Sequence, residues 1–174
     1  QEARFQVIKK PTYATTSITE DMQTEELPRR SAEGLGKRYG NVIHRLFEDA
    51  VRGQLPGNTE AYVCYLLKMG SLDTDLTREV MEVLQAFQSS AIWEEIERSE
   101  TVYTEVPFGL TQEVDGLPGV MRGVIDLLYR VPDGWKIVDY KTDALATDRD
   151  VQALAAHYAP QITAYAGHWE RITG

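Results

Sequence analysis

In "LGKRYGNVIHRLFEDAVRG" the residues Val42, Ile43, Leu46, Phe47, Ala50 and Val51 fall at helical spacing, and Gly53 with Pro56 supplies a stop signal. The spacing predicts an amphipathic helix. "NTEAYVCYLLKMG" predicts a second helix closed by Gly70, and Leu76, Val80, Val83, Leu84, Phe87, Ile92 and Ile96 carry the same period through "TDLTREVMEVLQAFQSSAIWEEIERSE". After Glu100 the pattern changes. "TVYTEVPFGL" and "VMRGVIDLLYRV" are rich in Val, Ile, Tyr and Phe and flank "VDGLPG", and "PDG" leads into "WKIVDYKT". Three strands joined by short turns predict an antiparallel meander. Helical spacing returns in "DRDVQALAAHYAPQITAYAGHWERIT", where Pro160 marks a break between two helical pieces or the first turn of the second. Residues 1–35 differ from all of this: "TYATTSITEDMQTEELPRRSAEG" has no sustained period and reads as an irregular arm with at most one short helical turn.

Helices, strands and a closing helix in 174 residues, 43% of them hydrophobic, predict one α/β domain with a core of ordinary size. No apolar run approaches the roughly 20 residues of a membrane helix. The one cysteine, Cys64, cannot build a disulfide framework, and no signal sequence opens the chain, which favours a soluble protein in a reducing, cytoplasmic setting. The net charge of -9 argues against a general nucleic-acid surface, so any contact with DNA must be local. It fits carboxylates gathered around a divalent cation and equally a solvated acidic face. There is no G-x-x-x-x-G-K-[ST], so ATP is not expected to bind within these residues.

Candidate chemistry lies in the second and third strands. If Ile125, Leu127 and Tyr129 share one face, Asp126 lies on the other with Val124 and Leu128. Asp139 and Lys141 are two apart and share a face, and the "VPDG" turn sets Asp126 and Asp139 side by side. Paired carboxylates are expected to hold a hard cation such as Mg2+ or Mn2+, with Lys141 at the edge to stabilise charge growing on a phosphate. A bare D…DxK hairpin also fits an exposed Asp–Lys cross-strand pair.

More of the sequence bears on that choice. "GNVIHRLFED" resembles the G-x-x-x-H-x-x-x-E element of RecB-like nucleases, "RGVIDLLY" their G-x-(I/V)-D motif, "VDYKTD" their D-Y-K-T core, and "QITAYA" their Q-x-x-x-Y-A element. The four stand in family order over roughly residues 36–170, with the greatest likeness to the nuclease domain at the C-terminal end of AddA-type helicase–nuclease chains. The resemblance implies a PD-(D/E)xK, restriction-endonuclease-like core, a central mixed sheet flanked by helices. It would span residues 36–174, after an arm of residues 1–35, and be excised from a larger helicase–nuclease chain.

The resemblance further implies metal ligation by His44, Asp126, Asp139 and the main-chain carbonyl of Tyr140, with Asp126, Asp139 and Lys141 catalytic. Gln161 and Tyr165, four apart on one helix face, would turn toward the active site or the DNA. The implied cofactor is Mg2+, with Mn2+ or Ca2+ as substitutes in binding. The implied activity is that of a metal-dependent DNA exonuclease in double-strand-break repair and recombination, in the bacterial cytoplasm. Its substrate would be single-stranded DNA fed by the motor domains of the parent chain, and its partner a second helicase–nuclease subunit. The alternative is a catalytically inactive nuclease-fold module that docks DNA or protein. A single cysteine excludes the iron–sulfur cluster of the partner-subunit type.

Plainer readings stay open residue by residue. His44 adjoins the apolar stripe of Ile43, Phe47 and Val51 and also fits a packed side chain; Glu48 also fits an ion pair with Arg45 or Arg52. Gln161 and Tyr165 also fit helix packing, with the Tyr165 hydroxyl at the surface. Glu105, on the first strand of the meander, fits either an added acid or an exposed strand residue. His157 and His168 match no metal spacing.

Overall fold

Capping side chains set the boundaries between the helices. In the computed structural model, which describes residues 14–17, 35–114, 117–142 and 148–173, helix α1 is Leu35–Val51 and α2 is Thr59–Met69. The Asn58 side chain accepts from the Ala61 N–H to start α2, and Gly70 ends it. A short 3-10 turn, Thr74–Leu76, leads into α3, Thr77–Gln88. The period that runs unbroken in sequence is then cut in two, because the Ser90 side chain accepts from the Trp93 N–H and starts α4 at Ala91–Arg98. Tyr39, Val42, Ile43, Leu46, Phe47 and Ala50 of α1 are buried against Val63 and Leu67 of α2 and Val80 and Leu84 of α3. Each such Val, Leu, Ile or Phe contributes roughly 1.5–3 kcal/mol, so the helical half has an apolar core of its own.

The sheet holds a short strand β1, Ala14–Ser17, and the expected meander: β2, Val102–Val114; β3, Leu117–Val131; β4, Gly134–Val138. β2 and β3 are antiparallel from Val114↔Leu117 inward, and β3 and β4 from Val131↔Gly134. Gly134 has φ +143°, a conformation that side-chain-bearing residues avoid. β1 runs parallel to β3, with Ala14 opposite Gly119. The sheet is therefore mixed and β3 is its centre. Helix α5, Asp148–Thr173, covers one face through Tyr165 and Ile162 on Phe108, Ile125 and Leu128. On the other face Leu127 and Tyr129 meet Ile96, with Val51 and Phe87 beside them. This is the α/β architecture of a mixed sheet flanked by helices that the motifs implied. Among the described residues no helix is long and apolar enough to cross a membrane.

Three local expectations are corrected. Ala14–Ser17 are a strand, not irregular chain, because pairing with β3 supplies order that four residues cannot announce; residues 1–13 and 18–34 of the arm lie outside the described residues. Pro160 breaks nothing: α5 continues through it. An interior proline costs about 3 kcal/mol, which the packing of Gln161, Tyr165 and His168, all buried, offsets. Ile125, finally, does not share a face with Leu127 and Tyr129, and the cause of that lies in the functional site.

Candidate metal centre

The alternation of β2 and β3 changes phase at one rung. Tyr103 and Leu128 pair and face α5, where Tyr103 lies 6.0 Å from the Trp169 ring. Thr104 and Leu127 pair on the opposite face, where Arg52, the residue after α1, donates to Thr104 at 2.7 Å. Strict alternation would keep Val106 and Ile125 with Thr104 and Leu127, yet both pack toward α5. The skipped rung is Glu105 opposite Asp126, and Glu105 has φ +52°. A left-handed backbone at a residue other than glycine costs of order 1–3 kcal/mol and collects at functional sites.

The phase change brings both acids to α1. The ligand atoms of His44, Glu105 and Asp126 all lie within 4.8 Å of one another. His44 Nδ1 is 3.4 Å from Asp126 Oδ1, and its Nε2 is 3.0 Å from the Tyr140 carbonyl oxygen. The other Asp126 oxygen accepts the Tyr140 N–H at 2.7 Å. Three of the four expected ligands thus converge: His44, Asp126 and the Tyr140 carbonyl. Gly40, one turn earlier on α1, lies close to the same segment, since a Cβ there would lie 3.1 Å from Thr142 Oγ1. Glu48, on the same helix, forms an ion pair with Arg52 at 2.7 Å and with Arg45 at 3.5 Å, as its plainer reading had it.

Asp139 is placed differently. Continuing the β3–β4 register by one residue sets it across from Asp126, but its carboxylate is taken by the Lys141 ammonium. Lys141 Nζ also lies 4.5 Å from the centre of the Tyr158 ring on α5. Asp139, Tyr140 and Lys141 wall a cavity of about 370 Å3 that reaches Tyr39 and Glu79, but His44, Glu105 and Asp126 do not line it. Gln161 and Tyr165 are 4% and 2% exposed, and Gln161 Nε2 donates to the Tyr165 hydroxyl at 2.6 Å. The Tyr165 hydroxyl is not at the surface. Burial, with the charges of Asp139 and Asp126 adding to it, pushes Tyr165 up to about 12, so it lies within the field of the acids.

Glu105 is the residue that sequence reading left undecided. A signal for it was present: with a two-residue connection, Asp115-Gly116, between Val114 and Leu117, the hairpin register sets residue 105 across from residue 126. The left-handed φ that turns it inward has no such signal.

The electrostatics suit a cation. Burial lowers the pKa of His44, but the hydrogen bond and charge of Asp126, the Tyr140 carbonyl and Glu105 outweigh it and hold the imidazole above its ordinary value. Burial, and then the charge of Asp126, raises Glu105; burial also raises Asp139, against the pull of Lys141. His44, Glu105 and Asp139 therefore bind protons more tightly than free side chains do. The protonated imidazole presents Nδ1–H to Asp126 and Nε2–H to the Tyr140 carbonyl, and a cation held by His44 would have to displace one of those protons. One imidazole nitrogen with carboxylate and carbonyl oxygens is a donor set that suits Mg2+ or Mn2+.

The chain matches the PD-(D/E)XK nuclease superfamily over residues 21–172. It is 30% identical over 125 residues to an ATP-dependent helicase/nuclease chain of Staphylococcus epidermidis, covering 64% of this chain and 10% of that protein. The Staphylococcus aureus protein of that name is 33% identical over 138 residues, or 70% of this chain and 11% of its own length. That of Anoxybacillus flavithermus is 34% identical over 86 residues, 49% of this chain and 7% of its own. The chain thus spans about a tenth of the length of the curated relatives it matches. With the match running from before α1 almost to the end of α5, and with Glu105 of β2, Asp126 of β3 and the Tyr140 carbonyl of the D-x-K segment meeting a histidine on α1, the chain belongs to the PD-(D/E)XK nuclease superfamily.

Proposed function

We propose that residues 36–174 are a divalent-metal-dependent DNA exonuclease domain of a bacterial, cytoplasmic helicase–nuclease, acting on single strands during double-strand-break repair. The observation that carries this is the convergence of His44, Glu105 and Asp126 within 4.8 Å, beside the Asp139–Lys141 pair. The helicase–nuclease names of the relatives support a motor in the parent chain and a second subunit. The acidic balance, -9, fits a domain to which DNA is delivered, because its own surface attracts phosphate poorly.

In this reading His44, Asp126, Asp139 and the Tyr140 carbonyl hold Mg2+, with Glu105 as an added acid, and Mn2+ or Ca2+ can replace Mg2+ in binding. When bound, the ion supplies positive charge that polarises a phosphodiester and acidifies a water. Asp126 and Asp139 are the catalytic carboxylates. Lys141 sets an ammonium beside the phosphate and balances charge that develops as the bond to the leaving oxygen breaks. Gln161 and Tyr165 support the acids from beneath, keeping α5 seated on β3.

End-labelled single-stranded DNA incubated with the 174-residue chain, with and without Mg2+, tests the reading. Cleavage is expected only with Mg2+. Lys141→Ala should bind Mg2+ in calorimetry as the wild type does and lose on the order of 100-fold in rate, the scale of one lost transition-state contact. Protection of the DNA without cleavage would replace the nuclease with a docking module.

A further inference from the structure

Asp139 carries two duties in the proposed function. It is a ligand for the cation, yet it also holds the Lys141 ammonium. A carboxylate engaged by a divalent ion has less charge left for a lysine, and the lysine stem is flexible, with its side chain 24% exposed. A lysine held by Asp139 alone would lose its place as the site fills. The second contact of that ammonium is the Tyr158 ring, 4.5 Å away, on a half-buried residue of α5. A cation within about 6 Å of a ring centroid is attracted to the ring face whatever the state of nearby carboxylates. Tyr158 stands one turn before Gln161 and two before Tyr165, both buried against the sheet, so its backbone is fixed relative to the acids.

We propose that Tyr158 is a positioning residue for Lys141: the face of its ring holds the ammonium at the reaction site independently of Asp139. It acts through the lysine and touches no phosphate itself. The inference rests on the nuclease reading for its consequence but not for its geometry, and the experiment separates the two.

Lysine labelled with 13C at Cε reports the contact without catalysis. The Lys141 signal, assigned by its loss in Lys141→Ala, should be shifted upfield by the ring current and should stay so when Mg2+ is added. Tyr158→Phe should keep that shift, and Tyr158→Leu should lose it. In cleavage of end-labelled single-stranded DNA, Tyr158→Leu should lower kcat about tenfold with KM and the Mg2+ dissociation constant unchanged, and Tyr158→Phe should restore it. In the Lys141→Ala background Tyr158→Leu should cost nothing further, which loss of packing alone would not produce. A Lys141 signal that moves to its free position on adding Mg2+, a Phe variant as impaired as Leu, or an equal loss in both backgrounds would each overturn the proposal. A retained, Mg2+-insensitive upfield shift in a chain that cleaves no DNA would instead uphold the contact and sink the nuclease reading.

Discussion

Asp49 in the helical half and Asp126 in the sheet are both buried acids, 2% and 8% exposed, and their surroundings are opposites. Asp49 receives Arg45 from the next turn of its own helix, at 2.9 Å, and the Tyr62 hydroxyl at 2.5 Å. A permanent cation and a hydrogen-bond donor neutralise it. Asp126 has a backbone N–H, a histidine that is charged only in part of the pH range, and across the ladder a second acid, Glu105. Buried charge without a fixed counter-charge is costly unless something else supplies it. The first acid has its counter-charge within the chain; the second is left to a ligand.

Exchanging the roles in that comparison gives the largest effect. Asp126→Ala and Asp139→Ala should each abolish Mg2+-dependent cleavage, a fall of at least about 100-fold on the scale of lost transition-state contacts. In the metal-free Asp126→Ala protein the loss of a partner for the Tyr140 N–H and His44 is opposed by relief of repulsion with Glu105, so its melting temperature should fall less than that of Asp49→Ala. Cleavage at the wild-type rate by either variant would remove the metal-site assignment, and a fall in melting temperature as large as that of Asp49→Ala would make Asp126 a structural acid like Asp49.

Asp49→Ala should do the converse. It leaves the Tyr62 hydroxyl without its carboxylate acceptor and Arg45 with Glu48 alone, and a hydrogen bond to a charged group contributes roughly 1.5–3 kcal/mol. The ion-pair share is small, since the Arg45 side chain is 52% exposed. Unfolding in urea should therefore show a loss of about 2 kcal/mol, with Mg2+ affinity unchanged. A weakened metal site in this variant would mean that α1 transmits disturbance along its length to His44, and the two acids would no longer be independent.

The two halves also differ in how far the sequence reveals them. Around Asp49 nearly everything is local: the stripe of Val42, Ile43, Leu46 and Phe47, the Gly53 stop, and Arg45 one turn from its acid. Local periodicity and i,i+4 spacing are what a sequence displays. Around Asp126 the letters show the chemistry and the register, through the D-x-K spacing and two short turns. They do not show the phase change at Glu105, which reverses the expected partners of Ile125 and arises only where β2, β3 and α1 meet. Nor do they show β1, whose four residues are ordered by β3, or the helix through Pro160, which the packing of α5 sustains. Nothing in the letters says that Asp139 is held by Lys141 or that Lys141 lies over Tyr158.

The smallest effect should come from pH, and it sharpens the comparison at its most sensitive group. His44 in the folded chain has a pKa above the ordinary 6.5, so its protonated form stabilises the metal-free fold fully below 6.5, and that contribution is lost as pH rises through the raised value. Glu105 and Asp139, raised above 4.5 and 3.8, act with the same sign in a lower window. Between pH about 6.5 and about 8, where the raised His44 gives up its proton and His168, lowered by burial, is already neutral in the folded chain, the metal-free chain should lose a few degrees of melting temperature. A divalent cation must displace the proton on His44, so its stabilising increment should grow over the same interval. His44→Ala should flatten both trends and, because nitrogen ligation favours Mn2+ over Mg2+, weaken Mn2+ the more. Melting curves of both proteins across that interval, without metal and with each ion, measure all three. A variant that keeps the wild-type pH profile and the wild-type ratio of Mn2+ to Mg2+ affinity would make His44 a packed side chain. Glu105 and Asp126 would then be two acids facing each other with no nitrogen ligand between them.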